Sequence, residues 1–352
     1  MADEDLRGEV ARLTRAAWDR DVAIVDVAPL AGDASSRRYF RVRLEGASVP
    51  TAVLMVQSGS GLSISSDELS SLGETPAEMP FLNVQRYLRS REIAVPDVYA
   101  ADSARGLALL EDIGDTTLWD AARAAEDPAS LYRAAIDELV RLQRAGAAEP
   151  DADCIAFRQR FDARLFAWEF DHFLEYGFGD RGVPAADRDW LRRRFGELSE
   201  ELAGDVLVLT HRDYHSWNLF VHDGKLRVID FQDALLAPVP YDLATLLNDR
   251  ATPTLVDPAL ERALVAYFCA RRRELLGDDV RDDELRSRYH LFVLQKSLKI
   301  VGRFHYLEEV KKKPGYVAML PYTFKTLRRA FDALPELGDV RDVVARNLPE
   351  LA

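Results

Sequence analysis

Apolar residues at helical spacing open the chain and then give way to short β-type runs. Over residues 4–20, Leu6, Val10 and Leu13 recur every three or four positions, a spacing that predicts an amphipathic helix. Over residues 21–56 there follow three runs of apolar and β-branched residues joined by glycine-containing connections. This pattern predicts three antiparallel strands.

Beyond these strands the pattern becomes mainly helical. Residues 57–76 are rich in Ser, Gly and Thr and predict a surface loop, and a further extended segment ends near Glu111. Residues 206–231 interrupt the helical pattern with short β-type runs, which predicts an inserted β-hairpin. Long helices are predicted over residues 77–90, 128–145, 157–178, 186–203, 257–276, 282–309 and 321–335.

The order and size of these elements predict the fold class. A chain of 352 residues is longer than one hydrophobic core usually fills, which favours two lobes. We therefore expect an α+β, bilobal, protein-kinase-like fold. Residues 1–112 are predicted to form a small N-terminal, nucleotide-binding lobe built on an antiparallel sheet. Residues 113–352 are predicted to form a larger, mainly helical lobe that carries the catalytic and acceptor-binding groups.

Composition and charge exclude several classes of function. The chain is 48% hydrophobic and 30% charged, which is typical of a globular enzyme and not of a disordered protein. Its formal net charge of −13 argues against nucleic acid or a membrane surface as a partner. Two cysteines without a CxxC motif indicate neither a disulfide framework nor a zinc site. The acidic start of the sequence is unlike a secretory signal, and we expect a cytoplasmic monomer.

Polar groups that suit phosphate chemistry are concentrated in one short block and one later aspartate. Asp213 and Asn218 are five residues apart in the segment HRDYHSWN, and Asp230 follows Asn218 by twelve residues at the end of an apolar run. Phosphoryl transfer needs a carboxylate that orients the attacking hydroxyl and accepts its proton, and hard oxygen ligands that hold magnesium against the phosphates. A His-Arg-Asp tripeptide alone is common, but its conjunction with a hairpin and a second aspartate predicts a phosphotransferase.

The block HRDYHSWNL, together with VIDFQDALLAPVPYDLATLL, resembles the signature of aminoglycoside phosphotransferases and their small-molecule kinase relatives. It is most similar to the anomeric sugar kinases that phosphorylate N-acetylmuramate and N-acetylglucosamine at C1 in cell-wall recycling. The pattern extends more loosely from the loop at Gly32 to about Tyr322. The resemblance implies ATP and Mg²⁺ as cofactors and a small sugar or alcohol as acceptor.

The resemblance also implies roles for individual residues. Asp213 corresponds to the catalytic base, and Asn218 and Asp230 correspond to the magnesium ligands. His215 and Asp233 lie close enough in sequence to these groups to contact the acceptor. For His215, stabilisation of the loop is the competing interpretation, and for Asp233 it is a turn or helix cap.

The nucleotide phosphates are expected near the segment Gly32–Phe40, between two predicted strands, because its small residues permit close backbone approach. In kinase-like folds a lysine on the third strand contacts the phosphates, but the first lysine of this chain is Lys225. An arginine can bind phosphate through two parallel hydrogen bonds, so an arginine is expected to replace that lysine. The candidates in this region are Gly32, Ser35, Ser36, Arg37 and Arg38, with Arg41 and Arg43 as alternative arginines.

Two further surfaces are implied by position. The segment Leu110–Gly114 resembles the hinge of the family, where main-chain groups around Glu111 and Ile113 would pair with adenine. On the predicted helix 282–309, Lys299 and Arg303 are four residues apart on one face, where cations would suit the carboxylate of N-acetylmuramate. A solvated basic stripe is the competing interpretation of that face.

Three functions follow from the sequence. The first is an anomeric amino-sugar kinase that makes a sugar 1-phosphate. The second keeps the chemistry with another acceptor, such as an aminoglycoside, a choline-like alcohol or an amino-acid hydroxyl. The third is a nucleotide-binding pseudokinase, suggested by the missing lysine, which would bind ATP without turnover.

Overall fold

The computed structural model describes residues 3–30, 37–57, 78–277 and 281–351. These residues form two compact units. The first comprises Met1–Thr116, Asp151–Arg158 and Phe220–Ala234, and the second comprises Thr117–Pro150, Gln159–Leu219 and Leu235–Ala352. The lobe boundary expected after residue 112 stays a prediction.

Strands and helices are numbered in chain order over the described residues. The strands are β1 Ala23–Pro29, β2 Arg37–Glu45, β3 Thr51–Gln57, β4 Val98–Asp102, β5 Leu107–Glu111, β6 Leu207–Thr210, β7 Leu219–His222, β8 Lys225–Val228 and β9 Leu235–Pro238. The α-helices are α1 Asp3–Trp18, α2 Pro80–Ser90, α3 Leu118–Ala124, α4 Pro128–Ala148, α5 Ala163–His172, α6 Ala185–Ala203, α7 Tyr241–Asn248, α8 Pro258–Leu276, α9 Asp282–His305, α10 Leu320–Asp332 and α11 Gly338–Asn347. Short 3₁₀ turns cover Ser103–Arg105, Ile155–Phe157, Thr252–Thr254, Val317–Met319, Pro335–Leu337 and Pro349–Leu351.

The first unit is built on a five-stranded antiparallel sheet in the order β1-β2-β3-β5-β4. The apolar stripe of α1 packs on this sheet, with Leu6, Val10 and Leu13 buried in the same cluster as Val42 and Leu54. A helical stripe with period 3.6 thus covers the inward-facing side of strands with period 2. The sheet together with the mainly helical second unit confirms the predicted α+β, protein-kinase-like class.

The hairpin predicted between Asn218 and Asp230 is present. Strands β7 and β8 form a two-stranded sheet. Asp223 and Gly224 connect them with φ values of 49° and 70°. Positive φ at both central residues is typical of a type I′ turn, which is the reason Asp-Gly is favoured there.

The second unit is organised around α9, which packs against α5, α7 and α10. Both α5 and α9 end in a π-helical turn, Phe173–Gly177 after α5 and Tyr306–Val310 after α9. Each turn extends its helix by a wider coil, so the predicted helices 157–178 and 282–309 change geometry near their C-terminal ends.

The helix predicted over 157–178 begins later than its pattern indicates. Residues 159–161 are extended because they pair with β9: Phe161 donates its N–H to Leu236 O at 2.8 Å, and Leu236 donates to Gln159 O at 3.0 Å. Asp162 then caps α5 by accepting the N–H of Leu165 at 2.9 Å. Tertiary pairing with β9 therefore overrides the local helical pattern.

Among the described residues, no helix is long and apolar enough to cross a lipid bilayer.

Gly302 marks the closest approach of α9 to the end of α5. A Cβ atom at this position would lie 2.6 Å from His172 O and 2.8 Å from the Cα of Phe173. Since both neighbours are backbone atoms, Gly302→Ala is expected to lower the free energy of unfolding by about 1–3 kcal/mol. Chemical denaturation measures this change.

Gly196 of α6 is the matched control, because a Cβ atom there meets nothing within 4 Å. Gly196→Ala is expected to be neutral or to raise the free energy of unfolding by roughly 0.5–1 kcal/mol. Equal stability of the two alanine variants would contradict this account of the helix contact.

Candidate active site

A buried carboxylate holds the backbone of the loop that carries Asp213. Asp242, near the start of α7, accepts the N–H of His211 at 2.6 Å and the N–H of Arg212 at 3.0 Å, and its side chain is fully buried. Arg212 has a φ of 80°, a conformation that L residues adopt only when their surroundings impose it. The two hydrogen bonds therefore fix a strained turn immediately before Asp213.

The carboxylate of Asp213 is partly exposed and, within the part of the chain that the structure describes, forms no hydrogen bond or ion pair. Burial raises its pKa, but the ammonium groups of Lys299 and Lys296 lower it more, so the pKa lies well below its usual range. Asp213 is therefore ionised at neutral pH and available to accept a hydrogen bond from a hydroxyl group.

Asn218 is oriented by its own loop. Its Nδ2 donates to the backbone oxygen of Asp213 at 3.0 Å, and its backbone N–H donates to His215 O at 2.9 Å. The amide oxygen Oδ1 accepts no hydrogen bond among the described residues. Since the nitrogen is used internally, the oxygen remains as a ligand for a cation.

A network of charged groups near Asp213 joins Lys299 to a carboxylate that the sequence analysis did not single out. Glu169 of α5 is fully buried and is paired with Lys299 Nζ at 2.6 Å, while Gln295 donates to the same carboxylate at 2.7 Å. Lys296 is buried and donates to Arg212 O at 3.3 Å, with its Nζ 3.8 Å from the ring centre of Tyr241. The available signal was one glutamate within the apolar stretch of α5.

Asp230 belongs to the first unit, where it follows β8 with a φ of 64°. Its Oδ1 is 2.6 Å from Arg37 Nη2 and also accepts a hydrogen bond from Gln232 at 3.2 Å. Its Oδ2 accepts no hydrogen bond within the described ranges. The next residue, Phe231, is buried and stacks on Phe81 of α2 at 4.9 Å between ring centres, which anchors the segment.

The arginines that could take the role of the missing lysine have different surroundings in the structure. Arg37 is buried and paired with Asp230, whereas Arg38 is exposed with its guanidinium 5.7 Å from the ring centre of Phe40. Arg41 pairs with Asp112 and Asp115, each at 2.8 Å. Arg43 is exposed. The other phosphate-loop candidates, Gly32, Ser35 and Ser36, lie outside the described residues.

The predicted hinge has one main-chain donor already in use. Glu111 donates its N–H to Asp97 O at 2.8 Å, and its carboxylate is paired with Arg227 at 3.0 Å. Ile113 is buried two residues later. A role in adenine binding would therefore fall to the carbonyl of Glu111 and the main chain of Ile113, and it stays a prediction.

The four predicted acceptor-binding residues have different surroundings. Asp233 lies in the first unit, is buried, and accepts a hydrogen bond from Gln232 at 2.9 Å. His215 lies in the second unit, and burial lowers its pKa, so the ring is neutral. Lys299 is paired with Glu169, and the guanidinium of Arg303 lies 5.4 Å from the ring centre of Tyr306. Their binding roles stay predictions.

Asn218 and Asp230 each offer an oxygen atom of the kind that magnesium prefers. Asn218 Oδ1 and Asp230 Oδ2 are hard oxygen atoms that accept no hydrogen bond among the described residues. Mg²⁺ commonly takes one or two protein oxygens and completes its shell with phosphate oxygens and water. Asn218 belongs to the second compact unit and Asp230 to the first.

Comparison with known proteins gives the family. The phosphotransferase enzyme family matches residues 26–276, which is more than half of the chain. The chain therefore belongs to the phosphotransferase enzyme family.

Relatives of known function match over most of the length. The N-acetylmuramate/N-acetylglucosamine kinase of Pseudomonas putida is 28% identical over 335 residues, covering 94% of this chain and 90% of the relative. The protein of the same name from Caulobacter vibrioides is 30% identical over 282 residues, covering 76% and 74%. Amicoumacin kinase hAmiN, solved in complex with AMP-PNP, Ca²⁺ and Ami, has a TM-score of 0.62 at 18% identity, covering 94% of each chain, and shares the fold.

The buried ammonium group of Lys296 predicts an alkaline limit to activity. Burial, and then repulsion from Lys299, lower its pKa to about 8 against the attraction of Asp213, Glu169 and Asp242. Below that pH the charged group supports the Arg212 carbonyl and the ionised Asp213, and above it this support is lost. We therefore expect kcat to fall with an apparent pKa of about 8, measured by ADP release between pH 6 and 9.5.

Lys296→Met is the control for this fall of kcat at alkaline pH. Its kcat is expected to be low at pH 7 and to show no further loss between pH 7 and 9. A wild-type kcat that stays flat to pH 9.5 would rule out the assigned role of Lys296.

Proposed function

We propose that this protein is an ATP-dependent kinase that phosphorylates the anomeric hydroxyl of N-acetylmuramate and N-acetylglucosamine, as part of cell-wall recycling. The observation that carries the proposal is the ionised carboxylate of Asp213, held on a fixed loop with no partner among the described residues. Similarity to kinases of these two sugars over 94% of the chain supports the choice of acceptor.

Asp213 accepts a hydrogen bond from the C1 hydroxyl group and thereby orients the hydroxyl oxygen toward the γ-phosphorus of ATP. The bond between that oxygen and γ-phosphorus forms while the bond from γ-phosphorus to the β–γ bridging oxygen breaks, which releases ADP. Because the pKa of Asp213 is low, the carboxylate takes the proton only late, when bond formation has made the hydroxyl acidic. Its principal contribution is orientation.

Asn218 and Asp230 are the residues that hold magnesium in this proposal. The bound ion would neutralise charge on the β- and γ-phosphate oxygens. The amide of Asn218 keeps its oxygen outward because its nitrogen is bonded to the Asp213 carbonyl. Asp230 keeps one oxygen available because Arg37 and Gln232 both bind the other.

Arg37 replaces the missing strand lysine in this proposal. Among the candidate arginines in the described ranges, Arg37 is the one paired with a proposed magnesium ligand, Asp230. A planar guanidinium can keep that contact and offer further N–H groups to phosphate oxygens. Gly32, Ser35 and Ser36 remain proposed contacts of the same loop, with Arg38 as the alternative to Arg37, and Glu111 and Ile113 remain the proposed adenine contacts.

On the acceptor side, Lys299, Arg303, His215 and Asp233 are the proposed contacts. Lys299 is paired with Glu169, but Arg303 has no carboxylate partner among the described residues, and its cation suits an acidic or neutral acceptor better than a polycationic antibiotic. A cytoplasmic location and a monomeric state are part of the same proposal.

An acceptor screen tests the proposed reaction. With ATP and Mg²⁺, N-acetylmuramate and N-acetylglucosamine are expected to drive ADP release, and phosphorus NMR should show a sugar 1-phosphate. The methyl glycoside of N-acetylglucosamine is the matched control, because its C1 oxygen carries no proton and it should be inert. Turnover of the methyl glycoside, or of choline or an aminoglycoside in preference to both sugars, would overturn the proposed acceptor. ATP binding with no turnover on any acceptor would favour the pseudokinase.

Exchange of Arg37 tests the proposed phosphate contact. Arg37→Met removes a charged hydrogen-bond donor near the phosphates and is expected to raise the KM for ATP by about 10-fold to 100-fold. Arg38→Met is expected to change it less than about 3-fold, because Arg38 is exposed. The reverse order of the two effects, measured by steady-state kinetics at saturating sugar, would assign the role to Arg38.

A further inference from the structure

Four aromatic side chains form a partly exposed cluster in the second unit, at the ends of α5 and α9. We call this cluster the aromatic platform; it consists of Trp168, His172, Tyr176 and Tyr306. The ring centres of Trp168 and His172 are 5.5 Å apart with an angle of 18° between the planes. His172 also contacts Tyr176 at 4.8 Å and Tyr306 at 5.2 Å, and the two tyrosines are 5.0 Å apart.

The backbone beneath the platform is irregular at two independent places. Tyr176 lies in the π-helical turn after α5, and Tyr306 is the first residue of the π-helical turn after α9. Such turns are frequent at functional sites. Trp168 and Tyr176 lie four residues before and after His172, so these three rings share one helix face, and the turn after α9 begins at the tyrosine that contacts the same histidine from the other helix.

His172, at the centre of the platform, is uncharged, and one of its ring nitrogens lacks a hydrogen-bond partner among the described residues. Burial, helped by Arg303 and Lys299, lowers the pKa of His172 to about 4, so the ring carries no charge at neutral pH. Its Nε2 is buried and has no hydrogen-bond partner in the described part of the chain. Buried polar atoms are normally hydrogen-bonded, so this nitrogen is available to form a hydrogen bond with a polar group of a bound ligand.

Cations border the platform on the α9 side. The guanidinium of Arg303 lies 5.4 Å from the ring centre of Tyr306, and the ammonium of Lys311 lies 5.5 Å from the same ring. Arg303 has no carboxylate partner among the described residues, whereas Lys299 is already paired with the buried Glu169. In a chain of net charge −13, this unpaired cation over an aromatic ring suits a ligand that carries a carboxylate.

Helix α9 runs from the loop that carries Asp213 to the aromatic platform. Lys296 contacts the carbonyl of Arg212, next to Asp213, and Arg303 follows seven residues later on the same helix. At about 1.5 Å per residue, Arg303 lies roughly 10 Å along the helix from that contact. An amino sugar with its C1 at Asp213 and an acidic substituent on C3 can span this distance together with the long side chain of Arg303.

We infer that the aromatic platform binds the apolar face of the acceptor sugar and that Arg303 binds the lactyl carboxylate of N-acetylmuramate. Arg303 is then the residue that distinguishes the acidic from the neutral sugar. This inference rests on the proposed function and adds the groups that set its acceptor preference.

Steady-state kinetics with the two sugars separate these roles. Arg303→Met is expected to raise the KM for N-acetylmuramate by about tenfold or more and to leave the KM for N-acetylglucosamine within about twofold. Tyr306→Leu is expected to raise both KM values by about 3-fold to 10-fold with the KM for ATP unchanged. Arg164→Met, an exposed arginine of α5, is the matched control and should change neither.

Tyr306→Phe keeps the ring and should behave as wild type, so a loss seen with leucine alone reports the aromatic contact and not a folding defect. An equal effect of Arg303→Met on both sugars, or no effect of Tyr306→Leu in a folded protein, would overturn the inference.

Binding without nucleotide gives a second measurement. Titration with N-acetylmuramate is expected to change tryptophan fluorescence in wild type and to lose that change in Trp168→Phe. If wild type phosphorylates neither sugar, the proposed function fails, and this titration still decides the platform. If wild type phosphorylates both sugars and Trp168→Phe retains the full fluorescence change, only the platform fails.

Discussion

The carboxylate of Asp242 and the two backbone N–H groups that it accepts are the interaction on which the site depends. The turn at His211 and Arg212 has a backbone conformation that its residues would not adopt alone, with φ of Arg212 at 80°. Hydrogen bonds to a charged acceptor contribute about 1.5–3 kcal/mol each, enough to hold such a turn. Asp213 follows this turn directly and Asn218 is hydrogen-bonded to the Asp213 carbonyl, so the direction of both side chains depends on the fully buried Asp242.

Two carboxylates near this loop are matched by two ammonium groups, all within the second unit. Asp213 and Glu169 are two carboxylates, and Lys296 and Lys299 are two ammonium groups that lower the pKa of both acids. The balance keeps Asp213 ionised where burial alone would favour its protonation. A carboxylate held in this state is a poor general base, which agrees with phosphoryl transfer, where positioning outweighs proton abstraction.

The elements whose conformation depends on neighbouring residues were predicted from the sequence. The hairpin between Asn218 and Asp230 followed from an Asp-Gly turn, and α1 followed from its apolar spacing. Strand β9 was not predicted, because a run of four residues gains its strand conformation from pairing with β6 and with residues 159–161, which are distant in sequence. Helix α7 was not predicted either, since it is short and all eight of its residues are buried, so its polar residues face the interior and give no contrast between an apolar and a solvent-exposed side. The pairing of Glu169 with Lys299 joins residues 130 positions apart, which no spacing rule reveals.

The central claim is that Asp213 orients and deprotonates the acceptor hydroxyl and does not bind nucleotide. The most direct measurement is ADP release by Asp213→Asn with saturating N-acetylglucosamine, together with titration of the same variant with magnesium and AMP-PNP. The account predicts a loss of kcat of at least about a hundredfold with nucleotide affinity unchanged. A variant that still turns over at the wild-type rate would contradict it.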